Sequence, residues 1–186
     1  DFPHSSLTMA CRGGHLEIVR YLVTERHVAV RSEGFEGAAL VCAARSGNLE
    51  LIRFLIDECG ALIDETDREK EPYEPSLTPL IAACEEGNLT VVRSLVERDN
   101  ASVSKRASTY IGEFSALSIA CDCGHLDIVR FLVTERHVPV RPKEHRGEAL
   151  YCAACSSNLD LIRFLIDVCG ARVDEPYGPW PHSAQP

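Results

Sequence analysis

The residue types able to do chemistry in this chain are chiefly cysteines and histidines. Cys152-Ala153-Ala154-Cys155 has dithiol spacing, and Cys121-Asp122-Cys123 with His125 precedes it. Four thiols and an imidazole could form a zinc or redox centre, provided that the side chains converge. Cys121 and Cys152 occupy apolar positions of a helical pattern, whereas Cys123 and Cys155 occupy more polar ones, so the two kinds point apart. Packing thiols plus exposed thiols is therefore the main reading, and a cysteine-based metal or redox sensor is its alternative. His27 and His137 lie in identical Thr-Glu-Arg-His-Val contexts, which points to a structural role. No Ser/His/Asp order, glycine-rich phosphate loop or His-Glu-x-x-His occurs. Asp57 and Asp167 stand singly at helix ends, so no carboxylate pair is set up for acid–base work. We expect no catalytic residue, no metal ligand and no cofactor.

The elements that carry these residues recur. Gly14-His15-Leu16-Glu17-Ile18-Val19-Arg20-Tyr21-Leu22-Val23 returns almost unchanged from Gly124, and looser copies begin at Gly47, Gly87 and Ser157. The leucines of these starts are 16, 49, 89, 126 and 159, giving steps of 33, 40, 37 and 33. A period near 33 marks an array of two-helix units, each burying its neighbour's apolar face. Residues 7–65 also match 117–175 at a constant offset of 110, with Leu-Ile-Arg-Phe-Leu-Ile-Asp at both 51–57 and 161–167. This is the pattern of an internal duplication.

Within each unit the pattern predicts a short helix, a glycine turn and a second helix. Ser5 or Ser6 can cap the first, and Gly13-Gly14 ends it, since glycine accepts the left-handed conformation without a Cβ clash. Leu16, Val19, Leu22 and Val23 then form the apolar stripe of the second, with Glu17 and Arg20 on its wetter side. Thr78-Pro79 reads as a cap followed by a proline in the first helical turn. Residues 64–75 lengthen the second connection by seven and are charged, either as a solvated arm or as a docking loop. Lys105–Phe114 lengthens the third.

The pattern Thr-Pro-Leu-x-x-Ala, then Gly-[His/Asn]-Leu-x-x-[Val/Ile]-x-x-Leu-[Val/Ile], resembles the ankyrin repeat. Five copies span nearly all of residues 4–175, as units of about 4–36, 37–76, 77–113, 114–146 and 147–175 in one domain, 1–186. The resemblance implies an all-α solenoid of stacked helix-turn-helix units joined by hairpin-like loops. The chain departs from the family at the slot after the first-helix leucine, where histidine is usual and Thr8, Val41, Ile81, Ser118 and Tyr151 stand instead. Ser157 replaces the turn glycine, at a cost on the order of 1 kcal/mol if that residue is left-handed. The tail 176–186 resembles the arm into a sixth unit. Either Tyr177 and Trp180 fold back over unit five, or repeats are missing there.

The resemblance also implies a partner-binding groove made by turn tips and first helices. The tips contribute Phe2, Phe35, Glu74, Leu77, Ile111, Phe114, His145 and Arg146. The first helices contribute Arg12, Arg45, Glu85, Glu86, Asp122 and Cys155. Aromatics among charges suit a protein interface, although each phenylalanine could instead pack beneath its own turn. The row runs from basic in units one and two to acidic in units three and four. The function implied is a non-catalytic scaffold for a partner protein or peptide. Leu-x-x-Ala-Cys followed by Gly-His-Leu-Glu-Ile-Val-Arg-Tyr-Leu-Val also resembles the substrate-recognition subunits of ubiquitin ligases.

Bulk properties bound the rest. A net charge of −9 over 186 residues, with no basic run, argues against nucleic acid. It serves solubility, or favours a basic or neutral partner. No apolar run is long enough for a membrane helix, and the first residues do not resemble a signal peptide. Nine cysteines at mostly apolar repeat slots point to a reducing, intracellular compartment, cytoplasmic or nuclear. Asp1 in place of Met suggests a fragment or a processed chain, and a monomer is expected.

Overall fold

Ser5 starts the first helix by accepting from the Thr8 N–H, while the Thr8 hydroxyl answers the Ser5 backbone in a reciprocal capping box. Thr78 caps its helix in the same way, accepting from Ile81 N–H at 3.3 Å, with Pro79 in the first turn. These local signals begin a set of helix pairs. The computed structural model describes residues 5–32, 34–67, 76–109 and 112–175, and the chain divides into two units, Asp1–Ala116 and Leu117–Pro186.

Unit 1 contains three pairs: α1 (Ser6–Arg12) with α2 (Leu16–Arg20), α3 (Ala38–Ser46) with α4 (Leu49–Arg53), and α5 (Pro79–Glu85) with α6 (Leu89–Glu97). An antiparallel hairpin follows, β1 (Arg106–Thr109) with β2 (Gly112–Ser115). Helix α7 (Ala116–Asp122) begins at the boundary and is followed by α8 (Leu126–Arg130). In unit 2, α9 (Glu148–Cys155) pairs with α10 (Leu159–Arg163). Among the described residues the fold is all-α apart from this hairpin and an isolated bridge from Ser76 to Ser108, as the periodicity predicts. First helices α1, α3 and α5 lie side by side in unit 1.

Most second helices end unusually. The last turns at Tyr21–Glu25, Phe54–Glu58, Phe131–Glu135 and Phe164–Val168 widen to i→i+5 bonding. Helix α6 stays regular, and Ser94 stands where the others have an aromatic. Every second helix is then closed by a left-handed residue: His27, Gly60, Asn100, His137 or Gly170, with φ between 54° and 70°. The next N–H reaches back six residues, as in Val28 to Leu22 O at 3.0 Å and Val138 to Leu132 O at 2.9 Å. The duplicated histidines are thus chain-reversing residues, which accords with the structural role expected of them.

The interior is aliphatic. Leu40, Leu51, Ile52, Leu55, Leu80, Ile81 and Leu95 are fully buried in unit 1, as are Ile128, Phe131, Leu132, Leu161 and Leu165 in unit 2. Each such side chain contributes about 1.5–3 kcal/mol on burial. The pairs are also tied by polar contacts. Asn48 Oδ1 accepts from Leu51 N–H while its Nδ2 donates to Gly14 O at 2.8 Å; Asn158 repeats both bonds, donating to Gly124 O at 2.9 Å. Arg20 lies 4.5 Å over the Phe54 ring, and Arg130 lies 4.5 Å over Phe164. Arg31 forks onto Glu65, and Arg141 onto Glu175.

The second fork carries a pH dependence. Hydrogen bonding from the Arg141 guanidinium holds Glu175 below the usual glutamate range. A carboxylate whose folded value is lowered contributes stability above its unfolded value, near about 4.3, and loses it as pH falls through the folded value. Arg141→Met should return the Glu175 titration, followed by NMR, to the ordinary range. An unaltered midpoint would show that the fork has no such influence.

The turn after each first helix is left-handed, with φ of 69–77° at Gly14, Gly47, Gly87 and Gly124, and 58° at Ser157. Serine therefore bears the Cβ strain in the fifth turn. Ser157→Gly is expected to raise stability by about 1 kcal/mol in a urea melt. A neutral or destabilising result would mean that the Ser157 side chain offsets that strain.

Candidate partner-binding surface

In unit 1 the exposed sides of α1 and α3 and the end of α5 form a row. Arg12 is exposed, Arg45 and Glu85 are half-buried, and Glu86 is exposed. Arg45 bridges two helices, with Nη2 2.6 Å from Glu85 Oε2 and Nη1 2.7 Å from Glu86 Oε1. Burial disfavours the Arg45 charge, but the two carboxylates outweigh it and hold the group above its ordinary range. The basic and acidic halves expected along the groove therefore meet and neutralise each other at this point. Arg45 is a clasp between neighbouring first helices, and the acids beside it share its charge.

Two of the tip residues expected to be exposed are buried. Leu77 is 7% exposed and Phe114 is 5% exposed. Residue 77 is drawn inward by a two-way clasp: its N–H donates to Asp67 Oδ1 at 2.7 Å, and its carbonyl accepts from Asp67 N–H at 3.1 Å. In the hairpin, Phe114 pairs in register with Ala107, and both are buried, whereas the adjacent Glu113 is exposed. Alternation along the strand turns the phenylalanine inward. Neither residue is an anchor for a partner. Phe35 is half-buried. Phe2, Glu74, Ile111, residues 68–75 of the long connection and the tail from 176 lie outside the described residues.

In unit 2, Asp122 and His145 are half-buried, and Arg146 and Cys155 are exposed. Desolvation raises the Asp122 carboxyl above its usual range. Tyr151, 47% exposed on α9, is a surface aromatic outside the groove residues that the resemblance implies. The only sequence signal was its size at a slot filled elsewhere by Thr8, Val41, Ile81 and Ser118.

The cysteines separate as their slots suggest. Cys11, Cys84, Cys121 and Cys152 are buried, while Cys123 and Cys155 are exposed. Burial pushes the Cys11 thiol up to about 12, and drives Cys121 upward as well. Among the described residues no three His, Cys, Asp or Glu side chains converge into a metal-holding group. Alkylation of native protein near about pH 8 should modify Cys123 and Cys155 first, because the thiolate is the reactive species. Peptide mass mapping should find Cys11, Cys84, Cys121 and Cys152 labelled only after unfolding. Early labelling of Cys11 would contradict its burial.

A family model of ankyrin repeats in three copies matches residues 1–67, 68–141 and 108–177. The chain belongs to the ankyrin-repeat family. These matches encompass all the helix pairs described above. Ankyrin repeats are generally protein–protein interaction modules and are typically non-enzymatic. No curated protein matches the chain. Among the described residues no helix is long and apolar enough to cross a membrane.

Proposed function

We propose that this ankyrin-repeat protein is a non-catalytic scaffold that holds a partner protein or peptide against its first helices and turn tips. The observation that carries this reading is where the two sequence blocks differ. We infer that 117–175 arose as a copy of 7–65, in an array of five repeats. Residues 22–28 and 132–138 are identical, and so are 51–57 and 161–167. The packing and tying residues Arg20, Arg31, Asn48 and Phe54 recur as Arg130, Arg141, Asn158 and Phe164.

The tip Ser32-Glu33-Gly34-Phe35-Glu36 instead becomes Pro142-Lys143-Glu144-His145-Arg146, changed at every position. On the first helices Arg12 becomes Asp122 and Arg45 becomes Cys155, and the buried Val41 becomes the half-exposed Tyr151. One framework thus carries two different surfaces, as a binding array requires and a purely structural spacer does not. A rigid framework loses little ordering entropy when it binds. The contact set proposed is Arg12, Phe35, Glu85 and Glu86 in unit 1, and Asp122, His145, Arg146, Tyr151 and Cys155 in unit 2. Nine cysteines at mostly apolar repeat slots favour a reducing compartment, cytoplasmic or nuclear.

The test is comparative capture. A partner bound by the wild type should be lost by Arg12→Glu combined with Arg146→Glu. It should be retained by Glu17→Lys combined with Glu50→Lys, which alters the second helices. The opposite pattern would place binding on the second-helix face.

A further inference from the structure

Two dithiol patterns in unit 2 are not used by the binding surface as a pair, and the structure splits each of them. In Cys121-Asp122-Cys123 the first thiol is buried and the second exposed, and the same holds in Cys152-Ala153-Ala154-Cys155. The exposed members, Cys123 and Cys155, stand at the ends of successive first helices, α7 and α9, and those ends touch. A Cβ placed on Gly124 would stand 3.2 Å from Ser156 Cβ, and Asn158 Nδ2 donates to Gly124 O at 2.9 Å. Cys123 immediately precedes Gly124, and Cys155 immediately precedes Ser156. A single Cα step spans about 3.8 Å, so the two exposed thiols flank this junction.

The first block shows what stands beside Cys123. The turns at 11–16 and 121–126 share one backbone. Gly14 donates to Cys11 O at 3.0 Å and Gly124 to Cys121 O at 3.1 Å, while φ and ψ are −85° and 76° at His15, and −82° and 78° at His125. At Gly13, the counterpart of Cys123, an added Cβ would stand 2.5 Å from His15 Nε2 and 2.7 Å from its Cδ2. In the second block that space is shared by the Cys123 side chain and the His125 ring. A neighbouring imidazole activates a thiol by taking its proton, because the thiolate is the form that reacts.

We propose that Cys123 and Cys155 form a peroxide-operated thiol pair, with His125 as the proton acceptor for Cys123. His125 takes the Cys123 proton, and the thiolate attacks one oxygen of hydrogen peroxide. The O–O bond breaks, the sulfur becomes a sulfenic acid, and the departing hydroxide leaves as water with the proton held by His125. Cys155 then attacks that sulfur, the S–O bond breaks, and a second water carries off the Cys155 proton. One S–S bond has formed, and the two electrons lost by the thiols have reduced one peroxide to two waters. The corresponding slots of the first block hold Gly13 and Arg45, so the pair belongs to the second block alone.

The test treats the reduced full chain with a small excess of hydrogen peroxide, quenches by alkylation and maps the monomer by mass. The oxidised monomer should carry a Cys123–Cys155 link. Cleavage before Asp122 separates Cys123 from Cys121, and fragmentation separates Cys155 from Cys152. Cys155→Ser should stop at a Cys123 sulfenic acid that dimedone traps. Cys123→Ser should lose the link and leave Cys155 reduced over the same interval. Both substitutions fall at exposed positions, so the thermal melt should stay in place. His125→Asn places at 125 the residue that other pairs carry as Asn48, Asn88 and Asn158, so the turn tolerates it. It should slow sulfenic acid formation at least about tenfold. The slowing should shrink as pH rises and hydroxide takes over the proton, a profile that a purely structural role would not give. Three results would each overturn the proposal: a link found only between copies, a link made through Cys121 or Cys152, or His125→Asn reacting at the wild-type rate.

Discussion

Replacing Gly37 with alanine is expected to destabilise the protein by about 3 kcal/mol, the combined cost of overpacking and a strained hydrogen bond. Gly37 has φ of −87°, a conformation that alanine adopts freely, so backbone preference is not the cause. The cause is space. An added Cβ would stand 2.4 Å from Thr66 O and 2.6 Å from Glu65 O, and both are backbone atoms that cannot swing aside. The Gly37 N–H also donates to Thr66 O at 3.0 Å, so relieving the clash lengthens that bond. Gly34→Ala is the control. Its φ is 78° but nothing lies within 4 Å of the added Cβ, so it should cost only about 1 kcal/mol of backbone strain. Urea melts of the two variants separate the effects. Equal losses would show that the close approach at residue 37 is not rigid.

The second large effect contrasts two residues that the sequence makes equivalent. Leu51→Ala is expected to cost about 3 kcal/mol, because a fully buried leucine leaves a cavity that its surroundings only partly fill. Ile18→Ala, in the same slot of the preceding pair, should cost on the order of 1 kcal/mol, since half of that side chain already meets water. Losses of equal size would mean that another part of the chain buries Ile18.

These two cases show where the sequence was sufficient for the fold and where it was not. Period, caps and apolar stripes are local properties, so Ser5, Thr78-Pro79 and the turn glycines could be read directly. The end of the second helices could not. His27 and Gly60 look unrelated as residue types, yet both adopt φ above 50° in the same slot. Gly37 and Gly147 look equivalent at the 110-residue offset, yet one has φ of −87° and the other 79°. The first is glycine because carbonyls crowd it, and the second has a left-handed backbone.

The candidate surface was legible to a similar degree. The slots implied by the resemblance put Arg12, Glu86, Arg146 and Cys155 toward solvent, and all four are exposed. Leu77 and Phe114 were expected at the tips by slot, but their burial depends on Asp67 and Ala107, partners supplied by other segments. By its slot Arg45 belongs to the basic half of the row. Its clasp on Glu85 and Glu86 exists only because α3 and α5 lie side by side.

By itself the sequence determined the repeating helix pair and which thiols are buried and which are exposed. It could do so because side-chain direction follows from position along a helix. Only the tertiary structure decided which charges cancel, which tip residues turn inward and which repeat leaves its apolar face open. Those outcomes depend on distances between segments far apart in the chain, and no local spacing encodes them.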